Sequence, residues 1–272
     1  MSMSINTNVG AMIALQNLNR TSKALEKTQL HITTGLKVNG PKDDASTYAI
    51  AQRMRGDIAG MQAVKTALAA GESTVNVAIT AGKAMAGLLT EMKAKVVQAN
   101  QAGLDTDSKS ALHNDFTSLR EQLETIVKTA EFNGKNLLTS SGTVMTVLST
   151  VDGSTITVSN QVLDATTLTI QTSDLGTSAA AATALTQIDT AINSVTTALA
   201  ALGSSAKRIE VQTDFTTQLV DILREGVGNL VDADLAEESA ALQALQIKQQ
   251  LGVQALSIAN QGPQSILALF NG

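Results

Sequence analysis

The sequence has no cysteine and no tryptophan, and only 2 % of its 272 residues are aromatic. The lack of thiols excludes disulfides, thiolate metal sites and cysteine nucleophiles. Because enzyme cores and ligand pockets usually depend on aromatic bulk, this composition also disfavours a compact enzyme. Hydrophobic residues still make up 43 % of the chain, and they are mostly small and aliphatic. Such side chains favour helices that pack closely side by side.

Charge and proline are also scarce. The net charge is −5 and the pI is about 5.1, with no basic stripe, so we expect no nucleic-acid partner. Pro41 and Pro263 are the two prolines, and the stretch between them permits long helices. The lack of cysteine fits two hypotheses equally well: a protein of a reducing cytoplasm, or one that crosses compartments unfolded and must not cross-link on the way.

Both ends of the chain are free of charged side chains, over Met1–Asn19 and Gln249–Gly272. Asn and Gln interrupt both stretches, so they do not resemble a cleaved signal peptide, and burying their amides in lipid would be costly. Helices that lie on membranes prefer Lys and Arg on their polar face, which these ends lack. We therefore expect no membrane insertion, and the ends are predicted to associate with other helices.

Apolar stripes run along the predicted helices at both ends. The first helix is predicted from about Ile5 to Leu36, with a heptad-like seam at Ala11, Leu15, Leu18, Ser22, Leu25, Gln29, Ile32 and Leu36. The last helix is predicted to begin after Asp234, a capping residue with Glu237 as its N3 partner. Its apolar residues are Leu235, Leu242, Leu245, Leu251, Leu256 and Ile258. Because such stripes need a partner, the two helices are predicted to pack together and against copies of themselves.

Three more helices are predicted between the ends. The second begins at Asp43 or Asp44, whose carboxylates can cap free N–H groups, and runs to about Asn100 despite several glycines. The third, with Phe116 on its apolar face, ends near Thr129, before a turn at Phe132-Asn133-Gly134. The fourth begins near Ser178 and is predicted to break at Gly226 and Gly228.

Residues 139–176 form an insert rich in Ser and Thr, with no Lys or Arg. Two β-branched runs, 143–150 and 154–159, flank Asp152-Gly153, which is typical of a β-hairpin. Residues 166–171 are a third possible strand. The low bulk predicts a small exposed β excursion outside any core. The fold class is therefore mainly α: an elongated antiparallel helical bundle with terminal coiled-coil helices and a small β-hairpin insert.

No pattern of catalytic or metal-binding residues emerges. His31 and His113 lack partners at metal-ligand spacing, and both are predicted to be solvated surface side chains. Asp43 and Asp44 could form an acidic dyad only inside a pocket, so a capping role at a helix start is much the stronger interpretation. Phosphate-binding, dinucleotide and nucleophile-elbow motifs are absent from the sequence. We expect no enzyme activity and no cofactor.

Five segments, in this order along the chain, resemble bacterial flagellins. They are Ser4-Ile5-Asn6-Thr7-Asn8; Thr34–Asn39 with Lys42–Ser46 and Ala49–Ala51; Phe132–Lys135 with Leu137-Leu138; Asp234–Ala240 with Gln246-Ile247; and Ala259–Gln264. The likeness covers roughly the first 138 and last 95 residues. The short middle insert resembles the small alphaproteobacterial flagellins that lack large outer domains.

The resemblance implies a secreted, extracellular subunit that polymerises with itself into the flagellar filament for swimming motility. Residues 1–40 and 233–272 would form the terminal coiled-coil polymerisation domain, using Ile5 and the Leu and Ile residues of both seams. Residues 41–232 would form the bundle, with Asp43, Asp44, Phe116, Phe132 and Asn133 supporting contacts between protofilaments. The implied partners are a type III export apparatus that passes the unfolded chain, a chaperone, and the filament cap and hook-junction proteins.

Two positions differ from those flagellins that a vertebrate innate receptor detects. Those flagellins carry an Arg and a Leu near the end of the second helix, where this sequence has Glu91 and Lys95. The resemblance therefore implies weak or absent receptor activation.

Two other interpretations remain open. A hook–filament junction protein would share the flagellin-like ends but would not form the bulk polymer. A signalling helical bundle, such as a chemoreceptor cytoplasmic region, could have a similar composition, but it would need a membrane span or a partner-binding hairpin tip. The β insert and the overall size favour flagellin over both.

Overall fold

A computed structural model describes residues 7–270 of the chain, and the surroundings of the side chains as far as residue 261. This part folds mainly into α-helices with two small hairpins, which confirms the predicted fold class. The elements in chain order are α1 (Val9–Thr34), α2 (Ala45–Ala99), α3 (Thr106–Thr129), β1 (Glu131–Phe132), β2 (Lys135–Asn136), β3 (Met145–Leu148), β4 (Thr155–Val158), α4 (Ser178–Val231) and α5 (Leu235–Phe270).

The helix ends follow the capping residues of the sequence. Gly35 ends α1 in the left-handed conformation, at φ 70°, and its N–H donates to the His31 carbonyl at 2.8 Å. Oδ1 of Asp44 accepts from the N–H groups of Ser46 and Thr47, at 2.9 and 3.1 Å, and so caps α2. Asp234 caps α5 by accepting from the Ala236 N–H at 2.8 Å. The capping predictions for Asp44 and Asp234 are confirmed.

The predicted break in the fourth helix is wrong. α4 continues through Gly226 and Gly228 and ends only at Val231. A Cβ added at Gly226 would lie 3.0 Å from Cε of Met54, so the glycine allows α2 and α4 to approach closely. Glycine costs a helix roughly 1 kcal/mol relative to alanine, and close packing of this kind offsets that cost.

The chain divides into two compact units. The terminal unit contains both chain ends, up to Gly56 and from Ile222 onwards, and the central unit is Asp57–Asp221. The terminal unit therefore holds α1, α5, the first turns of α2 and the last turns of α4. The sequence had suggested boundaries nearer the ends, at residues 40 and 233.

The core of the central unit is built from α2, α3, α4 and the segment between α3 and α4. Aliphatic and methionine side chains fill most of this core, and Phe116 adds an aromatic ring. Its largest fully buried side chains are Phe116, Leu68, Met85, Leu89, Met92, Leu123, Leu137, Leu138, Leu168, Ile170, Leu175 and Ile188. Medium-sized aliphatic and methionine side chains along the long helices thus fill the volume that aromatic rings fill in other cores.

The insert of residues 139–176, which was predicted to lie outside the core, contributes buried side chains to it. β3 and β4 pair antiparallel, with Met145 opposite Val158 and Val147 opposite Ile156, and all four side chains are buried. The hairpin prediction is confirmed, but the expectation of a purely exposed excursion is wrong. The opposite face carries Thr and Leu148 and is exposed, so the strands alternate as a half-buried hairpin should.

The predicted third strand does not form. Residues 166–171 make a series of turns, with Thr169 at φ 60°, although Leu168 and Ile170 are fully buried. The turn predicted at Phe132-Asn133-Gly134 is part of a short hairpin of β1 and β2, and the sequence did not predict these two strands. Its two turn residues, Asn133 and Gly134, have φ values of 49° and 76°, as a type I′ turn requires.

Candidate site of self-association at the chain ends

α1 and α5 pack against each other in antiparallel fashion inside the terminal unit. Near the start of α1, Nδ2 of Asn8 donates to the Ala259 carbonyl at 2.7 Å. Halfway along, a Cβ added at Gly252 would lie 3.2 Å from Cδ1 of Leu18. At the other end of the pair, His31 contacts Glu238. α1 and α5 therefore form a pair, as their stripes predicted.

The seam of α1 differs from the predicted one at two positions. Half-buried or buried side chains recur at spacings of three and four, at Ala11, Ala14, Leu18, Thr21, Leu25, Thr28 and Ile32, with Ser22, Ala24 and His31 beside them. The predicted Ser22 is half-buried, but Leu15 and Gln29 are exposed, and Ala14 and Thr28 take their places in the seam. Leu15 is instead 48 % exposed. Small residues at these positions let the helices approach closely, and a search for the largest apolar side chains misses them.

The seam of α5 combines large and small residues in the same way. Leu242, Leu245 and Leu256 are half-buried, as are Gln249 and Gly252 between them and Ala259 one turn later. The other predicted residues of this helix, Leu235, Leu251 and Ile258, are 52, 56 and 69 % exposed. Ile32 in α1 and Leu36, just after α1, are half-buried, and Ile5 lies outside the described residues.

Backbone hydrogen bonds join the segment that follows α1 to the segment that precedes α5. The Lys37 N–H donates to the Val231 carbonyl at 2.7 Å, and the Ala233 N–H donates to the Gly35 carbonyl at 2.9 Å. Leu36 and Asp232 form an isolated antiparallel bridge between the two segments. We call this end of the α1–α5 pair the closed end.

His31 lies beside the closed end and is only 6 % exposed. Its Nδ1 is 2.7 Å from Oε1 of Glu238, and since an ionised carboxylate can only accept, the ring N–H donates. The prediction that His31 is a solvated surface residue is wrong. His31 lies on the inward face of α1, one turn after Thr28, and the prediction missed this because it placed Gln29 in the seam instead of Thr28. His113 lies in α3, partly exposed, with Nδ1 3.4 Å from Oδ1 of Asp174.

Asp43 and Asp44 organise the turn between α1 and α2. The Asn39 N–H donates to Asp43 and does most to hold the pKa of that carboxyl below its usual range; Gly40 and Lys27 add to the effect. The Thr47 hydroxyl and N–H lower the pKa of Asp44 in the same way. Lys27 Nζ lies 3.6 Å from Asp43 Oδ1, which ties α1 to this turn. Asp44 thus caps α2, whereas Asp43 holds the turn that precedes it, and the two do not act as an acidic dyad.

The opposite end of the α1–α5 pair, which we call the open end, exposes apolar side chains. They belong to the first two turns of α1 and to α5 from Leu251 onwards: Val9, Met12, Ile13, Leu15, Leu251, Val253 and Ile258, each at least 48 % exposed. From Val9 to Asn19, and from Gln249 to Gln261, the sequence has no charged residue. Exposed apolar side chains grouped at one end of a helix pair are typical of a site of protein–protein association.

The remaining predicted residues lie in the central unit. Phe116 is fully buried, Phe132 is 37 % exposed, and Asn133 occupies the β1–β2 turn. Glu91 is exposed on α2, and Lys95, one turn later, donates to Oδ2 of Asp115 on α3 at 2.7 Å. In the described part of the chain, no group of three or more His, Asp or Glu side chains could hold a metal ion. Within residues 7–270, none of the helices combines the length and hydropathy that a membrane span requires.

Comparisons with known proteins agree with this arrangement. Residues 5–143 match the bacterial flagellin N-terminal helical region, and residues 185–270 match the bacterial flagellin C-terminal helical region. The flagellin FljK of Caulobacter vibrioides is 48 % identical over 98 % of both chains. The chain belongs to the bacterial flagellin family. The match to FljK over nearly the whole of both chains also confirms a small flagellin without large outer domains.

Solved structures share the fold of this flagellin. The Bacillus cereus flagellin aligns with a TM-score of 0.50 at 23 % identity, over 54 % of this chain and 86 % of that one. A candidate hook-associated protein of Vibrio parahaemolyticus aligns with a TM-score of 0.58 at 14 % identity, over 70 % of this chain and all of that one. The fold alone therefore does not separate filament from junction proteins. The sequence identity does, and it makes this chain a structural subunit of the extracellular flagellar filament.

Proposed function

We propose that this flagellin polymerises through its terminal coiled-coil domain, residues 1–40 and 233–272, with the open end as the main contact between copies. The observation that carries the proposal is the exposed apolar surface of the open end, which has no charged residue in its described part. Charged groups buried between copies would lose hydration, whereas apolar side chains gain roughly 25 cal/mol per Å² removed from water.

A second apolar stripe on α5 supports this role. Ile247, Leu251 and Ile258 follow one another at spacings of four and seven, and all three are more than half exposed. The seam residues Leu245, Gly252 and Leu256 occupy a different face, which is turned towards α1. α5 therefore has one apolar face paired within the chain and another left available for a neighbouring copy.

We further propose that residues 41–232 supply the contacts along and between protofilaments. Phe132 and Asn133 form an exposed turn that can touch a neighbour, whereas Phe116 lies within the core and would act by holding the bundle in shape. Asp43 and Asp44 would act by fixing the turn between α1 and α2.

The chain ends also suit export in an unfolded state. The absence of cysteine removes the risk of disulfide cross-linking during passage. If the ends line the channel of the filament, as the family resemblance implies, their Gln, Asn and Ser side chains would hold a passing chain only weakly. We propose type III export assisted by a chaperone, with the filament cap and hook-junction proteins as assembly partners.

The first experiment is seeded polymerisation of the purified chain, followed by high-speed sedimentation and negative-stain electron microscopy. The variant Leu251→Lys/Ile258→Lys places two charges on the open end, and we expect it to remain in the supernatant. The matched control Gln243→Lys/Gln246→Lys adds the same charges at exposed positions of α5 near Lys248, and it should still form filaments. Normal filaments from the Leu251/Ile258 variant would contradict the proposal.

A deletion tests the same idea more broadly. A chain that lacks Met1–Gly40 and Asp232–Gly272 should form no filaments, while the α-helical signal of the central unit persists in circular dichroism. A full-length chain that stays in solution under every seeding condition would contradict the proposal that the terminal domain drives polymerisation by itself.

A separate proposal concerns the vertebrate innate receptor. Glu91 is exposed, and Lys95 is engaged with Asp115, so this face of α2 presents an acidic group and an ion pair in place of an Arg and a Leu. We expect purified monomer to give weak or absent signalling in receptor-expressing reporter cells. The variant Glu91→Arg/Lys95→Leu should signal more strongly, and strong signalling by the unmodified monomer would refute the proposal.

A further inference from the structure

The His31–Glu238 contact stands out from the rest of the α1–α5 seam. Within α1 and α5, the other half-buried or buried seam residues in the described part are Ala, Leu, Ile, Thr, Ser, Gln and Gly, and Asn8, before α1, donates one hydrogen bond to the Ala259 carbonyl. His31 and Glu238 bring a buried imidazole and a carboxylate together across the two helices, with side chains 8 and 19 % exposed. The pair is adjacent to the closed end, where backbone hydrogen bonds join the two segments.

The inward side chains of α1 alone specify the alignment of the two helices poorly. A heptad seam repeats every seven residues, so sliding one helix by a heptad keeps every inward face inward. Along α1, Leu18, Leu25 and Ile32 would replace one another, as would Ala14, Thr21 and Thr28. On α5, Leu242 and Leu256 exchange only under a slide of two heptads, whereas a slide of one heptad exchanges Leu242 with Gln249.

We infer that His31 and Glu238 are positioning residues that fix the register of α5 against α1. In one direction, a seven-residue slide would place Leu245 opposite His31. In the other direction it would place Glu238 near Leu25. Either slide buries an imidazole or a carboxylate without its partner, and an uncompensated buried charge is strongly unfavourable. The pair therefore acts against wrong alignments more than it strengthens the correct one.

The charged groups around the pair are consistent with this role. Glu238 faces His31 from α5, Asp43 faces it from the turn after α1, and Lys27 lies one turn before it on α1. A buried atom, Nε2 of His31, has no hydrogen-bond partner among the described residues. Glu238 is thus the partner that makes burial of this imidazole tolerable, and only the native register supplies it.

The absence of native cysteine allows the register to be measured directly by cross-linking. A Cβ added at Gly10 would lie 3.9 Å from Cβ of Ala259, a separation that suits a disulfide. Gly10→Cys/Ala259→Cys therefore reports the native register. Gly10→Cys/Gly252→Cys and Asn17→Cys/Ala259→Cys report slides of one heptad in the two directions. Intrachain products are separated from dimers on denaturing gels, both for monomer and for sedimented polymer.

The test introduces His31→Leu/Glu238→Leu into each cysteine pair. We expect the native cross-link to fall by about threefold, and the two shifted cross-links to rise by a similar factor. The charge-swapped variant His31→Glu/Glu238→His should restore the native pattern. The control Lys207→Leu/Glu210→Leu removes an exposed ion pair of α4 and should change nothing.

Three results would overturn the inference: an unchanged pattern in the double-leucine variant, a change of equal size in the α4 control, or loss of all three cross-links. The last would mean that the pair is needed for α1 and α5 to associate at all, and not for their alignment. Because the readout lies within one chain, it is independent of whether the open end polymerises.

Discussion

Single glycines of α2 decide how closely its neighbours approach. Gly60, Gly71 and Gly82 recur every eleven residues, close to three helical turns, so they share one face. A Cβ at Gly60 would lie 3.0 Å from Val151, and one at Gly71 would lie 2.5 Å from Val147, both in the segment between α3 and α4. One at Gly82 would lie 2.8 Å from Leu199 on α4. These glycines weaken the isolated helix but make room for its packing partners.

Replacing Gly71 by alanine should therefore destabilise the protein by about 1–3 kcal/mol, as overpacking of a core does. Gly87 is the matched control, because nothing lies within 4 Å of a Cβ added there. Gly87→Ala should stabilise by up to about 1 kcal/mol through helix propensity. Urea unfolding followed by circular dichroism measures both. If the two variants change stability in the same direction, the close approach of Val147 is not what requires Gly71.

Asp44 gives the terminal unit a defined response to acid. Its pKa lies below the usual aspartate range because the ionised form accepts from the Thr47 hydroxyl and N–H. The stabilisation is therefore fully present above the unfolded-state pKa and is lost as the pH falls through the lower pKa of the folded state.

Asp44→Asn keeps a capping side chain but removes this titration. We expect the variant to lose less stability than the original chain when thermal unfolding is compared between neutral pH and acid below pH 4. Asp44→Ala should be less stable than Asp44→Asn at neutral pH. Equal acid sensitivity of the original and the Asn variant would show that other carboxyls dominate the response.

At the scale of elements, the hairpin of β3 and β4 has one face exposed to solvent and the other buried in the core of the central unit. Ile156 is 7 % exposed and belongs to the core of the central unit, whereas Thr157, its neighbour in β4, faces solvent. Ile156→Ala should cost about 2–4 kcal/mol of unfolding free energy, whereas Thr157→Ala should stay within about 0.5 kcal/mol. Chemical denaturation of the two variants in parallel measures both free energies of unfolding. If Ile156→Ala costs as little as Thr157→Ala, the hairpin does not contribute to the stability of the core.

The elements show where sequence reasoning succeeds and where it does not. Helix ends at Asp44 and Asp234 were predictable because capping is local chemistry. The break predicted at Gly226 and Gly228 was wrong because packing against α2, which is remote in sequence, stabilises the helix there. Residues 166–171 read as a strand by composition, but tertiary contacts fold them as turns that bury Leu168 and Ile170.

The candidate site shows the same division. The apolar stripes and the lack of charge predicted that the helices at the two ends associate. They did not predict that Ala14, Thr21 and Thr28 lie in the seam, because small residues give weak signals in a periodicity search. His31 was missed because its partner Glu238 lies 207 residues away, and no local pattern links the two.

At the scale of the whole molecule, salt affects assembly in two ways, one set by ionic strength and the other by the identity of the salt. The chain carries a net charge of −5, so copies repel each other at low ionic strength and any salt reduces this repulsion. The open end is apolar and uncharged in its described part, so its burial is strengthened specifically by salts that are excluded from protein surfaces, such as sulfate. If burial of the open end drives polymerisation, the identity of the salt must matter beyond its ionic strength.

We therefore expect sodium sulfate to lower the protein concentration needed for polymerisation more than sodium chloride does at equal ionic strength. Seeded samples are sedimented across a concentration series in each salt, and the critical concentration is read from the protein that stays in the supernatant. The control Gln243→Lys/Gln246→Lys should keep the difference between the two salts, because its added charges lie away from the open end. Identical critical concentrations in the two salts would show that relief of charge repulsion, and not burial of the apolar open end, drives the chain into filaments.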